Sequence, residues 1–320
     1  MAIPHDVGVD RARGREALSD IAKVRAVEWP PAIAAVPVED AFGEAAQPVA
    51  GERTVARGRM RRMRLAASAL SIVLLSCGSA QRAHGALTVF ESSSIDIDGV
   101  GYPFQLMHPP HGAPTPSPLV VFLHGAGERG VDNSKQLTWL PLAMASDPMR
   151  RDYPCFVLAV QCPESEKWVD VPWGDATPSQ LPAEPSRALR AVIAALDRVV
   201  EEHAVDRSRV YLTGLSMGGY GSWDLAMRMP DRFAALVPVC GGGDPSQVER
   251  LRSLPIWIWH GDKDAAVPVA RSRQLAEALR DAGIEATYSE LKGVGHDSWR
   301  QAYGRDGALS WMFGHRRRAN

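Results

Sequence analysis

Ser216 stands in the pentapeptide Gly-Leu-Ser-Met-Gly, residues 214 to 218. A serine hydroxyl is a weak nucleophile until a base takes its proton during attack, so a working Ser216 requires an imidazole within hydrogen-bond reach. Nine histidines are available. His296, in KGVGHDSW, follows the last apolar run, where a sheet would return it over the serine. His124 and His260 each precede a glycine at the end of an apolar run and are expected to serve those turns. His5, His84, His108, His111, His203 and His315 fall in the tail, in loops or on a helix face. An imidazole acting as base needs an acid that fixes its tautomer and stabilises the imidazolium. HGDKDAAVP offers Asp262 and Asp264, and Asp297 adjoins His296 itself. Asp297 is too near in sequence to reach Nδ1 comfortably and Asp262 is expected to cap its turn, which leaves Asp264.

The pentapeptide alone is a weak signal, and its setting is stronger. The apolar run RVYLTG leads in and MGGYGSWDLAMRM, compatible with a helix, leads out. That is the strand-turn-helix frame of a nucleophile elbow, which holds the serine in a strained conformation at the top of a sheet. Gly214 and Gly218 supply the missing Cβ atoms that so sharp a reversal requires.

A second glycine pattern, VVFLHGAGERG (residues 120 to 130), obeys GxGxxG after a β-branched run. A dinucleotide-binding turn would run directly into an amphipathic helix, with an acid ~20 residues further on at the next strand end. Here VDNSKQLTWLP follows, polar and then broken by Pro141, and the next apolar run ends at Gln161 and Cys162. No nucleotide cofactor is expected on that basis.

The elements that must position these residues alternate along the chain. Apolar runs occur at YPFQLM, PLVVFLHG, CFVLAVQCP, RVYLTG, AALVPVCGGG, PIWIWHG and EATYSELKG. Helical periodicity lies between them, at residues 186 to 203, after Ser216 and at residues 270 to 283. Such alternation predicts an α/β fold with a doubly wound, mostly parallel sheet covered by helices on both faces.

The order Ser216, Asp264, His296, together with FLHGAGERG, GLSMGG, HGDKDAAVP and GVGH in sequence, resembles the α/β-hydrolases of the dienelactone hydrolase and carboxylesterase type. Within them it is similar to the polyhydroxybutyrate depolymerase and feruloyl esterase-like group. The resemblance covers residues 87 to about 313. It implies a serine carboxylesterase with Ser216, His296 and Asp264 as catalytic triad, an acyl-enzyme intermediate, and no cofactor or metal. It also implies that the backbone N–H groups of Ala126 and Met217 form the oxyanion hole. Glu128 and Arg129 are expected to pair behind that loop.

The stretch from Cys240 to Pro255 has room for one short helix, so no large lid domain is expected and the site should accept short acyl esters or esters pendant on a polymer. The long segment ESEKWVDVPWGDATPSQ places Trp168 as a candidate substrate wall, with packing over the sheet edge as the equal alternative and as the favoured one for Trp173. Prolyl oligopeptidase-type peptidases share the catalytic fold and are one alternative. A non-catalytic, carbohydrate-binding surface lipoprotein is another.

A formal net charge of −1 over 320 residues creates no global field for nucleic acid, so no such partner is expected. Residues 60 to 86 carry a basic start, an apolar run from Leu65 to Leu75 and small residues after it, the order of a signal peptide and far short of the ~20 residues of a spanning helix. Export is therefore expected, with a periplasmic, secreted or envelope-anchored product. LLSC resembles a lipobox, in which lipid on Cys77 would anchor the protein to a membrane; cleavage after Gly85 or Ala86 is the rival. Residues 1 to 59 read as a disordered extension or a misassigned start, and residues 87 to 315 as the catalytic domain. Of the four cysteines, Cys155 and Cys162 bracket one predicted strand, which at ~3.3 Å per residue separates them by roughly 23 Å, beyond disulfide reach.

Overall fold

The computed structural model describes residues 89–304 and 307–317. The extension 1–59, the signal-like stretch 60–86 with Cys77, and the first two residues of the expected catalytic domain lie outside the described residues. One eight-stranded sheet organises what is described, in the order β1-β2-β4-β3-β5-β6-β7-β8. Its strands are β1 (Phe90–Ile97), β2 (Val100–Met107), β3 (Ser117–Leu123), β4 (Phe156–Val160), β5 (Val205–Leu215), β6 (Ala235–Val239), β7 (Ile256–Gly261) and β8 (Ala286–Leu291). The α-helices are α1 (Leu140–Met144), α2 (Asp147–Asp152), α3 (Arg187–Glu202), α4 (Met217–Arg228), α5 (Ala270–Asp281), α6 (Trp299–Ala302) and α7 (Ala308–Phe313).

From β4 and β3 through to β8 all neighbours run parallel, and only the β1-β2 and β2-β4 pairs are antiparallel. Parallel strands are buried on both faces, so they read as unbroken apolar runs. β3 and β4 are buried at every position. Their side chains alternate between two cores: Leu119, Val121 and Leu123 join one with Phe156, Leu158 and Val160, while Val120 and Phe122 join the other with Val157 and Ala159. α3, α4 and α5 close the first core, and α1, α2 and α7 the second.

Helix α3 begins where its sequence requires: the Ser186 hydroxyl accepts the Leu189 N–H at 3.0 Å, satisfying one of the orphan amides of the first turn. The expected strands and the three expected helices all form. The structure adds β1, FESSSIDI, with half of its residues exposed and none fully buried. It pairs with β2 across a two-residue turn in which Asp98 (φ 55°) and Gly99 (φ 78°) both adopt the left-handed region, the geometry that Asp-Gly turns favour. No large lid interrupts the sheet: β6 and β7 are joined through a single 3₁₀ segment, Pro245–Leu251. Among the described residues, no helix is long and apolar enough to cross a membrane.

Candidate active site

At the end of β5 the chain reverses and enters α4 through Ser216, whose backbone is held at φ 55°, ψ −119°. Few non-glycine residues tolerate this region, and holding one there costs about 1–3 kcal/mol. The neighbouring segments enforce it. A Cβ on Gly214 would collide with the Gly218 carbonyl, and one on Gly218 with the Leu123 carbonyl at the end of β3, so strand, turn and helix close up only with glycine at both positions. The Ser216 N–H donates to the Val239 carbonyl at 2.9 Å and ties the turn to β6.

The three side chains proposed from sequence meet above this edge. The Ser216 hydroxyl lies 2.8 Å from His296 Nε2, and His296 Nδ1 lies 2.7 Å from Asp264 Oδ2. A carboxylate can only accept, so Nδ1 carries the proton and Nε2 is free to accept from the hydroxyl. The loops bearing Asp264 and His296 are laced together. Asp262 N–H donates to the Leu291 carbonyl at 3.0 Å and Lys263 N–H to the Val294 carbonyl at 2.9 Å, while Asp262 Oδ1 accepts the Gly293 N–H at 2.6 Å. Asp262 thus serves the turn and Asp297 pairs at the surface with Arg300, at 3.0 Å.

Asp264 has no exposed side-chain surface. Burial opposes its ionisation, yet contacts from His260, His296 and the Val267 amide together hold the carboxyl well below the ordinary carboxylate range. Its Oδ1 accepts from the amides of Ala266 and Val267 at 2.9 and 2.8 Å. Cys240 Sγ, an Asp264 oxygen and a His296 nitrogen lie within 4.8 Å of one another. Burial, reinforced by the Asp264 charge, pushes the Cys240 thiol up, so it stays neutral beside the site.

The VVFLHGAGERG stretch forms the opposite wall. Ala126 opens a 3₁₀ turn (Ala126–Glu128) and Met217 opens α4, first positions whose amides have no acceptor within their own helix. His124 braces this turn from beneath: Nδ1–H donates to the Gly125 carbonyl at 2.7 Å and Nε2 accepts the Cys162 N–H at 2.9 Å. Burial drives its pKa down to about 4, so the ring is neutral.

Two expectations require correction. Trp168 has no exposed surface. Its indole N–H donates to the His124 carbonyl at 3.0 Å and its ring packs edge-on against His124, so it supports the turn from inside the core rather than lining a pocket. Glu128 and Arg129 do not pair. Glu128 Oε1 accepts the Trp139 indole N–H at 3.1 Å, whereas Arg129 turns away to the carbonyls of Ala126 and Glu164 at 3.0 and 2.9 Å. With its Oε2 buried and no ion-pair partner among the described residues, the Glu128 carboxyl has a raised pKa, desolvation being the main cause.

The aromatic group next to His296 is Trp299, perpendicular at 5.4 Å between ring centroids, with Trp139 tilted against that indole at 5.3 Å. Both are half-buried. Trp299 falls in the same GHDSW motif as His296, and its place three residues on was the available signal. Trp173 is half-buried against the core, with Lys167 over its ring. The segment carrying it is clamped by the buried Arg271, which donates to the carbonyls of Asp175 and Pro172 at 2.8 and 2.9 Å and to the Ser179 hydroxyl at 2.9 Å.

A family model described as phospholipase/carboxylesterase matches residues 111–304, more than half of the chain and all of this site. The chain belongs to that phospholipase/carboxylesterase family. Among solved structures, a thermostable esterase aligns with a TM-score of 0.66 and 38% identity, over 72% of this chain and 64% of that one. Poly(3-hydroxyalkanoate) depolymerase C of Paucimonas lemoignei is 30% identical over 234 residues, 62% of this chain and 53% of that protein. A bifunctional acetylxylan esterase/xylanase of Neocallimastix patriciarum is 26% identical over 184 residues, 57% of this chain and 24% of that protein. The chain thus spans about half or less of the length of these curated relatives. Family membership fixes the α/β-hydrolase fold and agrees with the sheet order observed.

Proposed function

We propose that this protein is an exported serine carboxylesterase that works through Ser216, His296 and Asp264 and a covalent acyl-enzyme. The observation that carries the reading is the strained Ser216 with its hydroxyl 2.8 Å from His296 Nε2, itself oriented by a buried carboxylate. Ser216 Oγ attacks the ester carbonyl while His296 takes its proton, and the amides of Ala126 and Met217 receive the developing oxyanion. One such donor is typically worth about 3 kcal/mol of transition-state stabilisation. The alcohol then leaves with the proton from His296, and water repeats the sequence on the acyl-enzyme.

The short β6-β7 connection leaves no room for a lid, which suits short acyl esters or esters pendant on a polymer. The depolymerase and acetylxylan esterase relatives are named for polymer-derived esters, in keeping with this choice. Trp299 and Trp139 offer the bound ester an apolar wall in place of Trp168. Export rests on the basic, apolar and small-residue pattern of residues 60 to 86.

Labelling purified protein with a fluorophosphonate tests the nucleophile: the wild type should label and Ser216→Ala should not. A panel of nitrophenyl esters and peptide anilides tests the reaction class, with turnover expected on the esters. Equal labelling of Ser216→Ala, or anilide turnover exceeding ester turnover, would remove the proposal.

A further inference from the structure

Asp264 is approached by a second imidazole that the reaction scheme does not use. His260, the penultimate residue of β7, is fully buried, and its Nε2 lies 3.2 Å from Asp264 Oδ2, the same oxygen that His296 engages from the other side. His260 Nε2 also lies 3.0 Å from the Val267 carbonyl. A carbonyl only accepts, so Nε2 carries a proton; its N–H is donated to the Val267 carbonyl and lies beside Asp264 Oδ2. His260 Nδ1 then takes the Ser272 hydroxyl, 2.7 Å away on α5, and Ser272 Oγ lies 3.4 Å from the Gly241 carbonyl just past β6.

We infer that His260 is a positioning residue for the acid: it fixes the Asp264 loop and directs an N–H at the oxygen shared with His296. The inference rests on the triad assigned above. Two consequences follow from the chemistry. First, the Val267 carbonyl pinned by His260 belongs to the residue whose own amide holds Asp264 Oδ1, so His260 sets the loop that presents the carboxylate. Second, an N–H against Oδ2 withdraws electron density from the carboxylate. This keeps the proton between them on His296 Nδ1.

The groups facing this cluster are few. Asp264 meets His296 and His260 directly, with Cys240 and Tyr220 nearby. His296 has Glu128 within electrostatic range, and His260 has Glu290 of β8, which is neutralised by Arg273 at 2.6 Å. Asp297, near Cys240, is paired with Arg300.

The test compares His260→Leu, His260→Gln and Ser272→Ala with the wild type on a soluble nitrophenyl ester, reading kcat and KM separately across pH after thermal melts confirm folding. His260→Leu should lower kcat by about 10–100-fold, the usual cost of losing a hydrogen bond to a buried charge, with KM little changed. The acid limb of its kcat/KM profile should move to higher pH, because Asp264 Oδ2 without the neighbouring N–H is the stronger acceptor. His260→Gln, whose amide can serve both Val267 and Asp264, should recover much of the loss. Ser272→Ala, a milder change that remains available if the His260→Leu variant does not fold, should move kcat and the acid limb in the same directions by less. An unchanged kcat and acid limb in folded variants would overturn the inference, as would a kcat loss that Gln does not relieve and that leaves the limb in place. Ser216→Ala and Asp264→Asn run alongside: if either keeps wild-type activity the triad itself fails, whereas inactive controls with an indifferent His260 refute this inference alone.

Discussion

Replacing Asp264 by Asn changes one atom pair and should nearly abolish turnover. In the wild type Asp264 faces donors on both oxygens: two backbone amides at Oδ1, and at Oδ2 His296 Nδ1 with His260 Nε2 nearby. An Asn side chain has one acceptor. If its oxygen keeps the amides of Ala266 and Val267, its NH₂ group faces His296 Nδ1, which must then lose its proton and accept. The proton moves to Nε2, which now points an N–H at Ser216 Oγ and can no longer act as base. The flipped amide would instead set NH₂ against two backbone N–H groups, a worse arrangement. Forcing the wrong tautomer in a triad of this kind costs ~10⁴-fold in kcat, or about 5.5 kcal/mol at about 1.4 kcal/mol per tenfold. The assay is kcat on a short-chain nitrophenyl ester, with the fluorophosphonate labelling rate as a readout independent of substrate binding and a thermal melt to verify folding. A folded Asp264→Asn enzyme within about tenfold of wild type would refute the reasoning, since no tautomer of His296 could then be required.

Relief of strain should separate stability from activity: Ser216→Gly removes the cost of φ 55° and should unfold at higher temperature, by a net of about 1 kcal/mol, while losing all esterase turnover. His124 is held neutral with its pKa lowered from 6.5 to about 4, so the unfolded chain binds the extra proton between these values. Stability should therefore fall as pH drops from about 6.5 to about 4, by up to about 3 kcal/mol from this residue, and melts of wild type against His124→Gln should show the variant losing that part of the slope. Arg271→Ala should free the segment it clamps: we expect a loss of about 2 kcal/mol or more in denaturant titrations and new proteolytic cleavage between residues 172 and 180.

Much of the site was legible because its chemistry is local or ordered along the chain. Gly214 and Gly218 announce a turn that only glycine allows, and the elimination among Asp262, Asp264 and Asp297 needed only turn logic and reach. β1 was not legible as a strand: three consecutive serines and an exposed face gave it neither an apolar run nor clean alternation, and only the Asp98-Gly99 pair marked the hairpin. Glu128 and Arg129 are adjacent and opposite in charge, yet a partner far along the chain decided each: Trp139 took the carboxylate and the 164–166 segment took the guanidinium.

The sequence by itself determined the order of elements, the candidate nucleophile and the frame in which it sits, since backbone sterics and the 2.0 and 3.6 periodicities are properties of short stretches. Tertiary structure alone decided what surrounds them. Trp168 in a long polar loop looks free to meet a substrate until β3, β4 and α3 close over it and claim its N–H for the His124 carbonyl. His260 looks like a turn residue until β7, α5 and the loop of Asp264 converge on its two nitrogens. Burial and the choice among competing hydrogen-bond partners depend on segments distant in the chain, so no window of sequence contains them.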